Sequence, residues 1–359
     1  MKLKTFLQIF GATAVVATLI PLFAADFWWI RIYDFLHIQL TLLTLAALAA
    51  YFLRFDIKRK EDYIFIGVLL ACFIYQLVAI YPYLPHNDYK VGEASSGQTE
   101  NNLIHIYAAN VLQENTDPSV LIMEIEQKDP DIVLLTETDL KWRDNLSQAV
   151  SGYPYKVEVP LDNTYGMLLY SKFEMMDPQI KYLVDDSIPS IHTVLKLRSG
   201  DLVQFYAIHP TPPMPQHNPS SSDRDAEMML TAKLAMDSQL PVIVAGDFND
   251  VSWSLTNALF SNVGGLLDTR VGRGFYNSFN AKNIIMRWPL DHYFVTEEFR
   301  VNKLNLGNDI GSDHFPIEII LSLEPERGEE QKPEPPTKDQ IERADEQIKV
   351  AKEKQKEND

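Results

Sequence analysis

The sequence is poorest in cysteine, with Cys72 the only one in 359 residues. A lone cysteine excludes a disulfide framework and a thiolate-bound metal centre, and its apolar neighbours mark it as membrane or core filling. Basic charge is also short, with 32 Lys and Arg against 49 Asp and Glu, a formal net charge of −17. Residues 1–62 carry +2 and residues 324–359 carry −4, which leaves −15 for residues 63–323. A duplex-binding surface presents a basic stripe that displaces counterions from phosphates, so this deficit argues against nucleic acid as the main substrate. No Gly-x-Ser-x-Gly elbow occurs. The contiguous Ser312-Asp313-His314 cannot replace it, because the members of a serine triad come from separate segments.

Charge is scarce again in the first eighty residues. Apolar runs cover about 5–25, 36–53 and 63–81, each near the roughly 20 residues needed to span a bilayer as a helix. They predict a membrane module over residues 1–82 with three transmembrane helices. Phe27, Trp28, Trp29 and Tyr33 sit between the first two runs, as an interfacial aromatic belt would. Lys2 and Lys4 share one face with Arg54, Lys58, Arg59 and Lys60 if all three segments cross. The positive-inside rule makes that face cytoplasmic, which places everything after Pro82 outside the cytoplasm of a multi-pass cell-membrane protein. Phe23-Ala24-Ala25 is a poor small-x-small site, so the first run reads as a span rather than a cleaved signal peptide. His37, Gln39 and Gln76 read as interfacial or helix-contact residues.

Residues 83–100 are polar and read as a linker. From 101 to 323 strand and helix patterns alternate. The strand candidates are Leu103–Val111, Asp131–Thr138, Tyr165–Ser171, His192–Leu197, Leu202–His209, Val242–Asp247, Leu290–Val295 and Phe315–Leu323. Helical periodicity runs over Ser119–Gln127 and Asp223–Asp237, the second behind a serine-rich cap. This pattern predicts a layered α/β sandwich. Residues 324–359 are charged and almost free of large apolar side chains, which predicts a disordered tail with a helical tendency from Gln340 onward.

The run Pro241-Val242-Ile243-Val244-Ala245-Gly246-Asp247-Phe248-Asn249-Asp250 reads as a buried strand that delivers polar side chains at its carboxyl end. Alternate strand side chains share a face, so Asp247 and Asn249 are expected to point the same way. Together they suit a water or an oxyanion beside a metal, although a strand followed by an Asx turn has the same letters. Other strand ends repeat the pattern: Asn110, Glu137, His209, Leu290-Asp291-His292 and Gly311-Ser312-Asp313-His314-Phe315-Pro316. Singly each has an ordinary explanation, such as a turn amide, a surface carboxylate, a loop histidine or a solvated pair. All of them in one chain do not. Oxygen donors without cysteine favour Mg²⁺ or Mn²⁺.

Taken in order, these residues resemble the endonuclease/exonuclease/phosphatase superfamily, the group with DNase I-like folds, over about Asn101 to Leu323. The membrane helices, with His209-Pro210-Thr211-Pro212-Pro213 and Asn249-Asp250-Val251-Ser252-Trp253-Ser254, look like a bacterial membrane-anchored branch. The resemblance implies a four-layer α/β sandwich of two sheets with helices outside. It implies a metal site at Glu137 with Asn110 and Asp313, and it gives Asp247 the attacking water. Asn249 would help hold water and phosphate, and His314, its ring held by Asp291, would bind the scissile phosphate. His209 would stabilise a phosphoryl oxygen or assist the leaving group.

The Gly-flanked loop at Arg270 and Arg273 is expected to fork onto a substrate phosphate, whereas Arg224 reads better as a structural ion pair. The reading that results is a membrane-anchored, divalent-metal phosphoesterase acting outside the cytoplasm on a diester or monoester, with lipid-linked substrates included. An extracytoplasmic nuclease and a non-catalytic membrane interaction module are the alternatives.

Overall fold

A computed structural model describes residues 3–23, 26–85, 87–97, 99–214 and 218–358; Lys2 and the Ala24-Ala25 pair lie outside them. Sheet one is built from β1 (Leu103–Asn110), β2 (Ile132–Thr136), β3 (Tyr155–Val159), β4 (Met167–Ser171), β11 (Phe299–Leu306) and β12 (Ile317–Leu323). Their order is β11-β12-β1-β2-β4-β3. Sheet two holds β5 (Glu174–Lys181), β6 (Ser190–Lys196), β7 (Leu202–Ile208), β8 (Val242–Asp247), β9 (Leu267–Asp268) and β10 (Asp291–Val295) in the order β5-β6-β7-β8-β10-β9. β1 and β2 are parallel, as are β7 and β8, and the other neighbours are antiparallel. The parallel pairs are joined by α5 (Ser119–Lys128) and α7 (Ser222–Asp237), the crossovers such pairs need.

Both faces of the central strands are covered, and their sequences are apolar almost without alternation for that reason. Between the sheets Ile104, Ile106 and Leu134 of sheet one pack with Phe205, Ile243 and Val295 of sheet two, all fully buried or nearly so. Outside sheet one lie α5 and α6 (Leu140–Leu146), with Leu121, Ile125 and Trp142 against Val133 and Leu168. Outside sheet two lie α7, α8 (Leu255–Gly264) and α9 (Lys338–Asn358), with Met228, Phe260 and Ile348 against Val244 and Phe294. The layers run helix, sheet, sheet, helix, as expected.

Every strand read from the sequence is present. The four that were not are β3, β5, β9 and β11, and these are the four sheet edges. Edge strands carry charges and even proline to discourage further pairing. Glu-Met-Met-Asp-Pro-Gln-Ile-Lys in β5 and Phe-Arg-Val-Asn-Lys-Leu-Asn-Leu in β11 therefore lack the apolar run that marks a central strand.

Two further expectations fail. Within the charged tail Lys338–Asn358 forms a 21-residue helix, α9, over the stretch where a helical tendency was expected, and it is packed rather than disordered. Ala344, Ile348 and Ala351 form a narrow apolar stripe buried against α7 and α8, while Lys354 binds Asn218 at 2.7 Å and Asp223 at 3.0 Å. A stripe of small residues among charges is too thin to see in composition. Two residues of the expected linker are likewise packed rather than free: Val91 is fully buried in the inter-sheet core, and Tyr83 donates to the Ser252 carbonyl at 2.5 Å.

In the amino-terminal helical module α1 (Leu3–Leu19), α3 (His37–Phe52) and α4 (Lys60–Ile80) pack together through Ala14, Ala47 and Leu69. Leu3–Leu22 and Lys60–Tyr83 are long and apolar enough to cross a membrane. The expected span 36–53 falls on α3, which is long and apolar enough only together with α2 (Trp28–Phe35), and the two helices meet at 71°. Arg31 of α2 reaches Asp225 at 3.5 Å and the Asp34 carbonyl accepts from the Trp253 indole at 2.7 Å, which ties α2 to the sandwich. Lys4 reaches Asp62 at 2.6 Å and Tyr51 reaches it at 3.0 Å. The starts of α1 and α4 and the end of α3 thus lie together, away from the α3 start and Ile80, which meet the domain through Leu36, Trp253 and Trp288.

Because α9 is a packed layer, Ile348→Ala is expected to cost about 2 kcal/mol, read as a lower denaturant midpoint. An unchanged midpoint would return residues 338–358 to the status of a solvated tail.

Candidate active site

The register of the two sheets brings six chain ends to one edge. Asn110 at the end of β1 lies opposite Thr136 at the end of β2, so Glu137 follows beside it. Ile208 at the end of β7 lies opposite Gly246, so His209 comes up beside Asp247. Antiparallel β10 starts where β8 ends, pairing Asp291 with Asp247, and β12 starts beside the end of β1, which delivers Asp313 and His314. Gly246 is what lets β8 close on β7. Its φ is +142°, and a Cβ there would meet the Ile208 carbonyl at 2.0 Å.

Asp247 is 1 % exposed and has a partner from each side. The Asn110 amide donates to it at 3.0 Å, while His314 Nε2 and His209 Nε2 stand 3.6 and 3.8 Å away. Burial pushes its pKa above the usual carboxylate range, aided by the nearby Asp291 charge and opposed by His314, His209 and the Asn110 amide. Burial pulls His314 the other way, but Asp291 and Asp247 together outweigh it and raise its pKa to about 10. The proton therefore rests on the imidazole, and Nδ1 donates to Asp291 at 2.8 Å. The Asp291 backbone is fixed by donation to Ser278 Oγ at 3.2 Å, and the Phe279 ring lies 4.9 Å from the His314 ring. Sequence reading had no signal for Ser278 or Phe279, which sit in an irregular loop.

Asn249 does not share a strand face with Asp247. The chain turns after Asp247, and Asn249, at φ +51°, donates its backbone N–H to Asp247 Oδ1 at 3.0 Å. Its side-chain amide binds the Pro210 carbonyl at 3.0 Å. This is the Asx turn that the same letters allowed, and it ties the loop after β8 to the loop after β7.

Glu137 is half-buried and left-handed, at φ +59°. Strain of this kind persists only where the surroundings dictate it. Here Thr138 N donates to the Gly166 carbonyl at 3.1 Å and the Thr138 carbonyl accepts Leu161 N at 3.0 Å. Asn110 presents its amide nitrogen to Glu137 at 2.8 Å while its oxygen accepts Leu112 N at 3.0 Å. In this structure Asn110 orients the carboxylate rather than offering its own oxygen. Ser312 Oγ binds the Asn110 carbonyl at 2.8 Å, which holds Asp313 at the end of β1.

Asp247, Asp291 and His314 offer atoms within 4.8 Å of one another, a spacing that would suit a metal. His314 Nδ1 is already engaged by Asp291 at 2.8 Å, however, and that hydrogen bond accounts for the grouping. Glu137 is the better fit for a hard cation. One of its oxygens receives only a long 3.4 Å contact from Gln113 N, and a carboxylate oxygen is the kind of hard donor that Mg²⁺ or Mn²⁺ takes.

Arg270 and Arg273 are not placed to meet a substrate. Arg270 is 1 % exposed, with its guanidinium on Ser252 Oγ at 3.1 Å and on His292. Arg273 stacks on Tyr89 of the segment before β1, 4.1 Å from the ring centroid. Gly272 at φ +81° turns the loop inward, against Asn87 and Asp88. Arg224 is the structural ion pair expected of it, bound to Asp225 at 2.8 Å and Asp250 at 3.3 Å. It also donates to the Asn249 carbonyl at 2.9 Å. On the same helix Glu227 is buried with Oε1 unpartnered, and burial, with Asp185 nearby, raises its pKa to about 8.

The family model for the endonuclease/exonuclease/phosphatase family matches residues 106–314. Among solved structures, D. rerio TDP2 complexed with a single-strand DNA product is 17% identical, with a TM-score of 0.52 over 61% of this chain and 99% of that one. An endonuclease/exonuclease/phosphatase from Beutenbergia cavernae DSM 12333 is 15% identical, with a TM-score of 0.52 over 62% of this chain and 72% of its own. A functionally unknown conserved protein from Enterococcus faecalis V583 is 18% identical, with a TM-score of 0.50 over 62% of this chain and 100% of that one. At these identities the likeness is one of fold. Comparison with curated proteins gives no match.

Glu227 generates a pH prediction away from the Asp247 edge. The folded state keeps its proton up to about pH 8, whereas the unfolded chain releases it near 4.5, the ordinary glutamate value. Stability is therefore expected to fall as pH rises through that window. Glu227→Gln stays neutral throughout and should gain more than about 1 kcal/mol at about pH 8 relative to about pH 5. Parallel stability–pH curves for the two proteins, from denaturant titrations, would contradict this.

Proposed function

Because the chain belongs to the endonuclease/exonuclease/phosphatase family, a group of metal-dependent hydrolases of phosphate esters, we propose that it hydrolyses a phosphodiester or phosphomonoester at the Asp247 edge as a membrane-anchored enzyme. The observation that carries this is the buried Asp247 carboxylate, held by Asn110 and faced by two histidines, one of them protonated.

Glu137 would hold the divalent cation, with Asn110 orienting its carboxylate and Asp313 as a further carboxylate ligand. When bound, the cation offsets charge on the phosphate and on the leaving oxygen. Asp247, raised by burial, accepts a proton from water and aims it at phosphorus. The His314 imidazolium, kept charged and oriented by Asp291, holds a non-bridging phosphate oxygen through Nε2. His209, whose Nδ1 is buried without a partner, stabilises a second oxygen or the leaving group. Asn249 supports the water and phosphate from the turn that binds Pro210.

The ends of the helices remote from the domain carry Lys4, Arg54, Lys58, Arg59 and Lys60. By the positive-inside rule that end is cytoplasmic, so the site lies outside the cytoplasm. The charge of −15 on residues 63–323 favours a small or lipid-borne phosphate over a duplex.

The full chain with Mg²⁺ or Mn²⁺ should turn over bis-p-nitrophenyl phosphate or p-nitrophenyl phosphate and lose that activity in EDTA. Glu137→Gln and Asp247→Asn should each lower kcat/KM on the order of 10²–10⁴-fold. Undiminished turnover in both variants would place the chemistry elsewhere. Preference for plasmid DNA over the small esters would favour the nuclease reading.

A further inference from the structure

Beside the active-site edge, the loop Asn280–Trp288 ends in an apolar tip. Ile284 is 89 % exposed, Ile285 73 % and Met286 38 %. The tip is rigid: Asn283 Oδ1 accepts the backbone N–H groups of Ile285 and Met286, both at 3.0 Å. Arg287 pins the base by donating to the Ala281 carbonyl at 3.1 Å and stacking on Phe315, 4.8 Å from its ring centroid. A preorganised apolar tip held out into water has no folding purpose, and such patches mark contact with a partner or a membrane.

The neighbouring elements identify the partner. Gln39, in the first turn of the apolar helix α3, donates to the Ile285 carbonyl at 2.7 Å. Phe35 of α2 packs edge-on to Trp288 at 5.7 Å. α2 turns Arg31 inward to Asp225, at 3.5 Å, and leaves Phe27, Trp29 and Ile32 outward at 56, 52 and 44 % exposure. The tip therefore continues the apolar surface of a helix that the sequence reads as bilayer-bound, at the level of its aromatic belt. The exposed Lys282 flanks it, as suits anionic headgroups.

The same loop walls the candidate site. Phe279 stands 4.9 Å from His314, and Ala281 N donates to the Asp313 carbonyl at 2.7 Å. We infer that residues 284–286 insert into the leaflet and that the substrate is a phosphate ester whose lipid part stays in that leaflet. Water adds to phosphorus, the phosphorus–oxygen bond to the alcohol breaks, and that alcohol leaves with a proton. The substrate half of this inference rests on the phosphoesterase reading above.

The test uses the full chain reconstituted in phosphatidylcholine vesicles that contain phosphatidic acid and phosphatidylglycerol, with Mg²⁺ or Mn²⁺ present. Ile284→Asp combined with Ile285→Asp is expected to lower turnover of the bilayer esters by about tenfold or more while leaving bis-p-nitrophenyl phosphate turnover unchanged. Equal loss on both substrates, or no loss on either, overturns the inference. So does a wild type that turns over the soluble ester and neither lipid. Silence on every ester sinks the phosphoesterase reading itself and the substrate class with it. Insertion is decided separately by an environment-sensitive label on Ile285→Cys in a Cys72→Ala background. Quenching by nitroxide lipids supports it, and a water-like emission overturns it whatever the activity.

Discussion

A carboxylate that is 1 % exposed is the constraint on which the rest of the molecule depends. Burying the Asp247 charge costs several kcal/mol unless polar partners replace water. Those partners come from β1, from the end of β7 and from the segment before β12, so both sheets must present their strand ends at one level. The parallel pairs β1–β2 and β7–β8 give that alignment, and Gly246 permits the last close approach. His314 answers the same need with a positive charge, and Asp291 answers His314. The site is a chain of compensations that begins at one buried charge.

The amino-terminal helices belong to this arrangement. Arg31 on α2 reaches Asp26 at 3.0 Å and Asp225 at 3.5 Å; Asp225 pairs with Arg224, which donates to the Asn249 carbonyl. Trp253 adds a bond from its indole to the Asp34 carbonyl at 2.7 Å. The turn after β8 is thus supported on one side by a helix at the expected bilayer surface. Arg31, Arg224 and Asp250 form a buried network in which each charge has a partner, the condition under which such networks order a structure rather than weaken it. The loop from Ser278 to Trp288 does the same on the other side of His314, so the catalytic edge is framed by elements that themselves touch the apolar helices.

How much of this was legible in the sequence follows burial. Central strands such as Val242–Asp247 announce themselves because both faces are covered. β3, β5, β9 and β11 do not, because an edge is written in charges. Asn110, Glu137, His209, Asp247, Asp291 and His314 were legible because each sits at the end of a readable strand. Asn249 was legible as a residue but not as a geometry, since the same letters serve a strand and an Asx turn. Arg270 and Arg273 misled because a Gly-flanked basic loop looks alike whether its arginines face a phosphate or fold inward onto His292 and Tyr89. The α9 stripe was invisible, since Ala344, Ile348 and Ala351 gain meaning only against α7 and α8.

The sequence by itself determined the apolar helices of the first eighty or so residues, the positions of the central strands along the chain and the set of polar residues at their ends. These depend on local composition and period, which a linear reading carries. Tertiary structure alone decided that α2 bends away from α3, that the charged tail packs as a helix, that Asn110 offers nitrogen rather than oxygen, and that Phe279 walls His314. Each of these is fixed by a partner distant in the chain, and a pairing energy between distant residues leaves no mark on either one's neighbours.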